Sequence, residues 1–415
     1  MNKKFVWFIF ILMALLMAGC WGSDDDSSSA KNNNNGDDDA YDYTYGNLDF
    51  PALNNFGIVA LNNTNSICIL DGSTLKISEP LLKHELGSYG GGLFDVVITP
   101  DGKTAMVSNF GDSKVYFIDT SNPSVPHVKG SAQIDFFAED MAVTPNGKYL
   151  LVTNGGFASR IGVVDLKTMD IIRSDMPKET IYHNAISVSP DGRTVLTADY
   201  FAGRVNVFSL SSYGELTYRK SINLMETGDI ESPRPVNLEI SPDGKTVIVA
   251  SATAPLVFPI LTIQGPGDVV LSDIVKQNEG LRGAQSVAFN RAGTKAYLHC
   301  TTTFPDVGEY DGNAIAELQK NFMGKWEVTK IIPVDVFGTS QLFGVDTLAI
   351  NDTNGYLYVS NPTVSGGTPY VLVVDVNRGK VIQKLKTENA EDDPVPPSDP
   401  DFMSIPTGIT FWNKR

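Results

Sequence analysis

The sequence predicts an all-β chain: a seven-bladed β-propeller of four-stranded antiparallel blades, its ring closed by strands from both ends of the domain. Three observations carry this expectation. A Pro-Asp-Gly-type turn recurs as Pro100-Asp101-Gly102, Pro145-Asn146-Gly147, Pro190-Asp191-Gly192 and Pro242-Asp243-Gly244, with weaker forms at Arg291-Ala292-Gly293 and Asp352-Thr353-Asn354-Gly355. Each copy lies between two short apolar runs, and a strand-rich repeat of about 40–60 residues is the signature of stacked blades. Finally, residues 58–61 and 66–71 supply later strands of a blade that lacks a first one, while residues 406–412 supply a first strand with no blade after it. Joined, the two pieces complete one blade and remove the free edges that invite aggregation.

Taken in chain order, residues 1–19 form a processing segment. Asn2-Lys3-Lys4 gives a basic start, and the apolar run over residues 5–18 is shorter than the ~18–20 residues a spanning helix needs. The run ends in Leu16-Met17-Ala18-Gly19-Cys20, which resembles the bacterial lipobox; the resemblance implies cleavage before Cys20 and a lipid on its thiol. Residues 20–50 follow as an acidic Ser/Asn/Asp tether, too poor in apolar side chains to offset its ordering entropy. Trp21 and the Ser23-Asp24-Asp25-Asp26 run resemble sorting signals of outer-membrane and surface lipoproteins. The expected location is therefore the cell envelope, on the outer membrane, with the chain held to the bilayer through lipidated Cys20. The formal net charge is −16, and a body of this sign repels nucleic acid and anionic lipid headgroups.

Residues 51–415 are the expected propeller domain. The first complete blade has strands at 95–99, 103–108 and 114–118, with a fourth near Val128. The pattern repeats at 140–144, 149–154 and 161–165, then at 185–189, 194–199 and 205–209, with further units starting near Asn237, Ser286 and Asp346. Pro presets the first corner of each turn and Gly takes the positive φ that closes it. Two places break the rhythm: residues 255–266 are expected to interrupt one blade and residues 301–313 to swell another. Cys68 and Cys300 fall in apolar strands of different blades and are expected as buried thiols.

The pattern Pro-Asp-Gly-Lys followed by Val-x-Asn resembles the YVTN-type propellers of bacteria and archaea. It stands here as Pro100-Asp101-Gly102-Lys103 with Val107-Ser108-Asn109, as Pro145-Asn146-Gly147-Lys148 with Val152-Thr153-Asn154, and again at Tyr358-Val359-Ser360-Asn361. The resemblance covers roughly residues 55–412 and implies fold far more than activity. Asp119, Asp165 and Asp375, ending third strands, read as turn caps.

Chemistry is expected where loops gather at the channel mouth. Asp95, Asp140, Asn184, Asn237 and Asp346 stand where first strands begin, and convergent polar groups at one mouth suit a ligand. Asp95, Asp140 and Asp346 leave a Ca²⁺ site open beside the plainer reading of a hydrated acidic mouth; no other cofactor is implied. Phe110, Phe157 and Tyr200 occupy the facing loops, with Phe201 and Phe304 beside them. Such aromatics either stack on a ligand or fill gaps between blades, and both readings stand open.

The stretch from Ser187 through Arg193 to Ala198-Asp199 also resembles the lactonase branch of these propellers, relatives of 6-phosphogluconolactonase. That resemblance implies a His before the turn and an Arg-His pair with a Glu around the next blade. His183, Arg234 and Glu139 are the candidates, but His183 and Arg234 are out of register, and Ala250-Ser251-Ala252 offers no Glu. Acid–base chemistry needs groups in register at hydrogen-bond distance. The expected function is therefore a monomeric, non-catalytic binding platform for a protein or an extracellular ligand. A lactonase-like hydrolase is the first alternative, and an accessory subunit of a periplasmic redox complex is the second.

Overall fold

A computed structural model describes residues 55–62, 64–83, 85–87, 92–154, 160–175, 183–224, 234–252, 257–276, 281, 283–301, 313–334, 347–361, 370–387 and 406–413. The processing segment, the tether and Cys20 lie outside the described residues. So do Asp346, Phe157 and Phe304, together with all but the ends of the 301–313 insertion.

The described chain forms seven four-stranded antiparallel sheets and contains no helix. Blade 1 is the composite one: Pro406–Asn413 pairs with Asn55–Leu61, which pairs with Ser66–Asp71 and then with the short Lys76–Ile77. Blades 2 to 7 begin with innermost strands Leu93–Ile98, Ala138–Val143, Ala185–Val188, Pro235–Ile240, Gly283–Phe289 and Leu348–Asn351. Each innermost strand lies against the next, and Pro406–Asn413 touches those of blades 2 and 7, so the ring closes as the sequence predicts.

Strand alternation builds the core. Side chains on successive residues point to opposite faces, so in blade 3 Leu150 and Val152 pack toward blade 2, while Tyr149 and Leu151 pack toward blade 4. The interior is accordingly seven apolar layers, one between each pair of neighbouring blades. Cys68 and Cys300 lie in these layers as free, buried thiols. Burial pushes the Cys300 thiol up to about 12 and the Cys68 thiol further in the same direction.

The repeated turn has one local geometry. In blade 2, the Gly102 N–H donates to the Thr99 carbonyl at 2.8 Å, and the Thr104 N–H donates to Thr99 Oγ1 at 3.1 Å. The Thr99 hydroxyl in turn donates to Asp101 at 2.6 Å. Thr144, Ser189 and Ser241 repeat this role, so the unit is hydroxyl-Pro-Asp/Asn-Gly, one residue longer than the motif read from sequence. Gly102 sits at φ +73, left-handed backbone that an L side chain enters only under strain. The turns also pack on one another: a Cβ added to Gly147, Gly192, Gly244 or Gly293 would sit 3.3 to 3.7 Å from the Pro Cδ of the preceding blade's turn. At the seam, Trp412 takes the proline's place, its indole N–H donating to the Pro100 carbonyl at 3.2 Å.

In its described part, 257–266, the stretch 255–266 does not interrupt blade 5. Val257–Gly265 is its nine-residue third strand, and Pro259 pairs with Ile274 on the outer side. The ladder to the second strand ends at Ile260, so the missing proline N–H falls where that pairing has stopped.

Candidate functional site

The end of the ring opposite the repeated turns carries the crossings between blades and the loops joining second to third strands. Several innermost strands begin there with a register shift, between Leu93 and Val96, Ala138 and Met141, Pro235 and Asn237, and Ala284 and Ser286. Such bulges re-aim side chains, and here they turn the first polar residues into the neighbouring blade. Asp95 is buried, and its Oδ2 accepts the Met141 N–H of blade 3 at 3.0 Å. Asp140 accepts the Met141 N–H at 2.8 Å and the Ile186 N–H of blade 4 at 2.7 Å. Asn184 donates to the carbonyls of Pro235 and Val236 in blade 5 at 3.1 and 2.7 Å, and accepts the Tyr200 N–H at 3.2 Å.

One residue that sequence reasoning missed does the same: the Thr407 hydroxyl bridges the carbonyls of Ala60 and Leu93 across the seam. At the turn end, Glu239 makes a comparable link, accepting the Phe289 N–H of blade 6 at 3.2 Å. Asn237 and Glu139 are buried at the loop end, with the Glu139 carbonyl accepting the Ser108 hydroxyl at 2.9 Å. A polar residue at the start of a first strand was the available signal. Its direction was not readable. Among the described residues, no three His, Cys, Asp or Glu side chains gather as they would around a metal ion.

The hydrolase candidates part company. His183 is fully buried, its Nδ1 2.8 Å from Thr197 Oγ1 and its ring edge-on to Phe208. Burial, reinforced by the Arg204 guanidinium, lowers its pKa to about 4. His299, which the sequence did not single out, repeats the arrangement in blade 6: Nδ1 lies 3.1 Å from Thr347 Oγ1, and burial takes its pKa to about 4. Arg234 stands outside. It donates through Nη1 to the Tyr200 hydroxyl at 3.2 Å, and its guanidinium lies 5.6 Å from the centre of the Tyr200 ring. Beside it, buried Asp199 pairs with Arg204 at 3.2 Å, yet burial outweighs the pairing and raises the carboxyl above its ordinary value.

The aromatic residues divide as well. Phe110 is the middle ring of a stack, 5.1 Å from Phe94 and 4.5 Å from Phe137, so both its faces are covered. Tyr200 meets Phe201 edge-on at 5.1 Å, and Phe201 remains 55 % exposed. Tyr200 and Arg234, singled out in the sequence for different reasons, are thus brought together with Phe201 into one exposed corner over blades 4 and 5. A planar cation held on a ring face suits a ligand bearing a carboxylate or phosphate next to a flat apolar surface.

No protein-family model matches the chain, and no curated protein does. Solved structures do. A protein of unknown function from Desulfotomaculum acetoxidans is 19% identical, covers 86% of this chain and 98% of its own, and has a TM-score of 0.67. A periplasmic gluconolactonase from Pseudomonas aeruginosa is 14% identical, with coverage of 86% and 99% and a TM-score of 0.62. Hydrazine synthase from Kuenenia stuttgartiensis is 21% identical over 70% of this chain and 78% of its own, with a TM-score of 0.54. At these identities the likeness is one of fold, and a propeller hosts many unrelated activities.

Proposed function

We propose that the chain is a non-catalytic binding platform of the cell envelope, held at the outer membrane through lipidated Cys20 and binding its ligand or protein partner at the loop end. One observation carries the reading. Asp95, Asp140 and Asn184 are buried with their side chains on the backbone of the next blade, while Arg234, Tyr200 and Phe201 form the exposed corner. Buried groups fixed on backbone serve the ring; the exposed guanidinium on its aromatic seat serves recognition. The hydrolase reading has the fold-level likeness to a gluconolactonase behind it. Against it, the candidate base His183 is buried and turned onto Thr197.

The test is photo-crosslinking in intact cells from a reactive residue at position 201. Capture of one defined partner or ligand, reduced at least tenfold by Arg234→Ala, is the expected result. Hydrolysis of glucono- or 6-phosphogluconolactone by the purified chain, abolished by His183→Gln, would overturn the reading. For the anchor, Cys20→Ala should release the chain from membranes once the segment ahead of it is removed. An unchanged membrane fraction would refute lipidation.

A further inference from the structure

Blade 4 meets blade 5 through a contact reversed from those before it. Asp95 and Asp140 act as acceptors, each taking an N–H from the blade that follows. Blade 5 opens on Pro235, which has no N–H to give. What it turns toward blade 4, at the bulge between Pro235 and Asn237, is two carbonyls. A carboxylate facing them would be repelled, whereas an amide donates. Asn184 does so through Nδ2, at 3.1 Å to Pro235 and 2.7 Å to Val236, and its Oδ1 accepts the Tyr200 N–H at 3.2 Å. A carbonyl only accepts and a backbone N–H only donates, so the three partners fix which way the amide faces. The side chain is fully buried, and water does not compete for these bonds.

The two segments tied by that amide are the ones that carry the exposed corner. Arg234 precedes Pro235 and is confined to extended backbone. Its carbonyl accepts the Ala252 N–H at 2.9 Å, and the next carbonyl along is one of the two on Asn184. On the other side, the Asn184 N–H donates to the Ala198 carbonyl at 3.1 Å. Tyr200 packs, beside Ala252, against the apolar layer between blades 5 and 6, so the blade 4 loop lies over the entry to blade 5. Arg234 and Tyr200 thereby meet across 34 residues of sequence. An exposed cation on a ring face gains little by itself, too little to hold two loops together. The buried amide holds them.

We infer that Asn184 is the positioning residue of the exposed corner, its amide setting the Tyr200 ring and the Arg234 guanidinium against each other. The inference rests on the reading of that corner as the binding site, and says how the site is kept formed before a ligand arrives. A corner held in register spares the ligand the ordering of two side chains, and affinity rises accordingly. Asp140 clasps the junction of blades 3 and 4 instead, through the Ile186 N–H, which makes it the matched comparison: a buried junction residue on a different pair of blades.

The test replaces Tyr200 by 3-fluorotyrosine in the purified full chain and reads its fluorine resonance, a probe of the ring's own surroundings. Arg234→Ala sets the displacement that loss of the pair produces. Asn184→Ala, shown to be folded by its unfolding transition in urea, should move the resonance by at least half that displacement. In separate chains carrying the photo-reactive residue at position 201, it should reduce capture at least fivefold. Asp140→Ala should do neither. Should Asn184→Ala fail to fold, Asn184→Ser keeps a hydroxyl for one of the three bonds and carries the same expectation. A resonance left in place by the Asn184 variant, or by Arg234→Ala, would overturn the proposal. So would capture that persists although the resonance moves, or an equal response to Asp140→Ala. A wild-type chain that captures nothing at 201 while the resonance moves as described would refute the binding reading and still support Asn184 as the residue that positions the pair.

Discussion

The two ends of the ring solve the same problem, joining blade to blade, in different ways. At the turn end one four-residue unit is used four times, with the same hydroxyl, carboxylate or amide and glycine contacts, and each proline packs on the glycine of the following turn. At the loop end one clasp is used twice, Asp95 on the Met141 N–H and Asp140 on the Ile186 N–H, and then gives way to others. Aspartate, asparagine and threonine reach across by different hydrogen bonds, over sequence separations of 46 residues and more. Identical local chemistry can repeat because a turn is finished within a few residues. The loop end must fit crossings of different length, so the clasp changes from blade to blade beyond the first two, and Arg234, Tyr200 and Phe201 stand as an exposed corner.

The comparison breaks most severely with acid. His183 and His299 have folded pKa values lowered from 6.5 to about 4, so the unfolded chain takes up their protons first. Stability is then flat above about pH 6.5 and falls as pH drops toward 4, by about 1.4 kcal/mol per pH unit for each histidine. Urea unfolding across that range should show the slope, and His183→Gln with His299→Gln should flatten it. The lowered carboxylates of Asp71, Asp101, Asp119 and Asp243 add their losses only at more acidic pH, below their ordinary value of 3.8.

Next in size is the loop-end clasp. Asp140→Ala leaves the Ile186 N–H of the next blade without its carboxylate and should cost about 2–3 kcal/mol by denaturant unfolding. A loss below about 0.5 kcal/mol would show that the junction holds without it.

A pair of glycine substitutions then probes whether the turn end is more than a set of turns. Gly102→Ala meets both a φ of +73 and the Trp412 ring 2.5 Å from the new Cβ, whereas Gly355→Ala meets a φ of +75 and open space. The first should lose roughly 2–3 kcal/mol and the second about 1 kcal/mol. Equal losses would mean that packing between turn and seam contributes nothing.

The smallest effect belongs to the exposed corner. Arg234→Ala should move stability by less than about 0.5 kcal/mol while abolishing capture at position 201. A large loss of stability would return the corner to the scaffold.

Much of the fold was legible in the sequence because its signals are local. Pro100-Asp101-Gly102 and its copies give the hairpins, and the strand-only pieces at residues 58–71 and 406–412 give the composite blade. The break expected at residues 255–266 is absent over 257–265, because the pairing places Pro259 where the ladder to the second strand has already stopped. The site was half legible. Asp95 and Asp140 could be placed at the start of their strands, but the bulges that turn them onto Met141 and Ile186 leave no mark in composition. For Phe110 the sequence leaves ligand stacking and gap filling both open, and only the fold brings Phe137, from the crossing into the next blade, against its ring.

The sequence by itself determined the turns, the strand alternation, the number of blades and the way the ring closes. These depend on φ preferences and period-two burial within a few residues of chain. Only the tertiary structure decided which polar groups serve the ring and which stand outside it. A side chain at the start of a strand points to its own channel or to its neighbour according to the bulge beneath it and the angle between blades, and that angle is set by apolar layers packed between residues far apart in the chain.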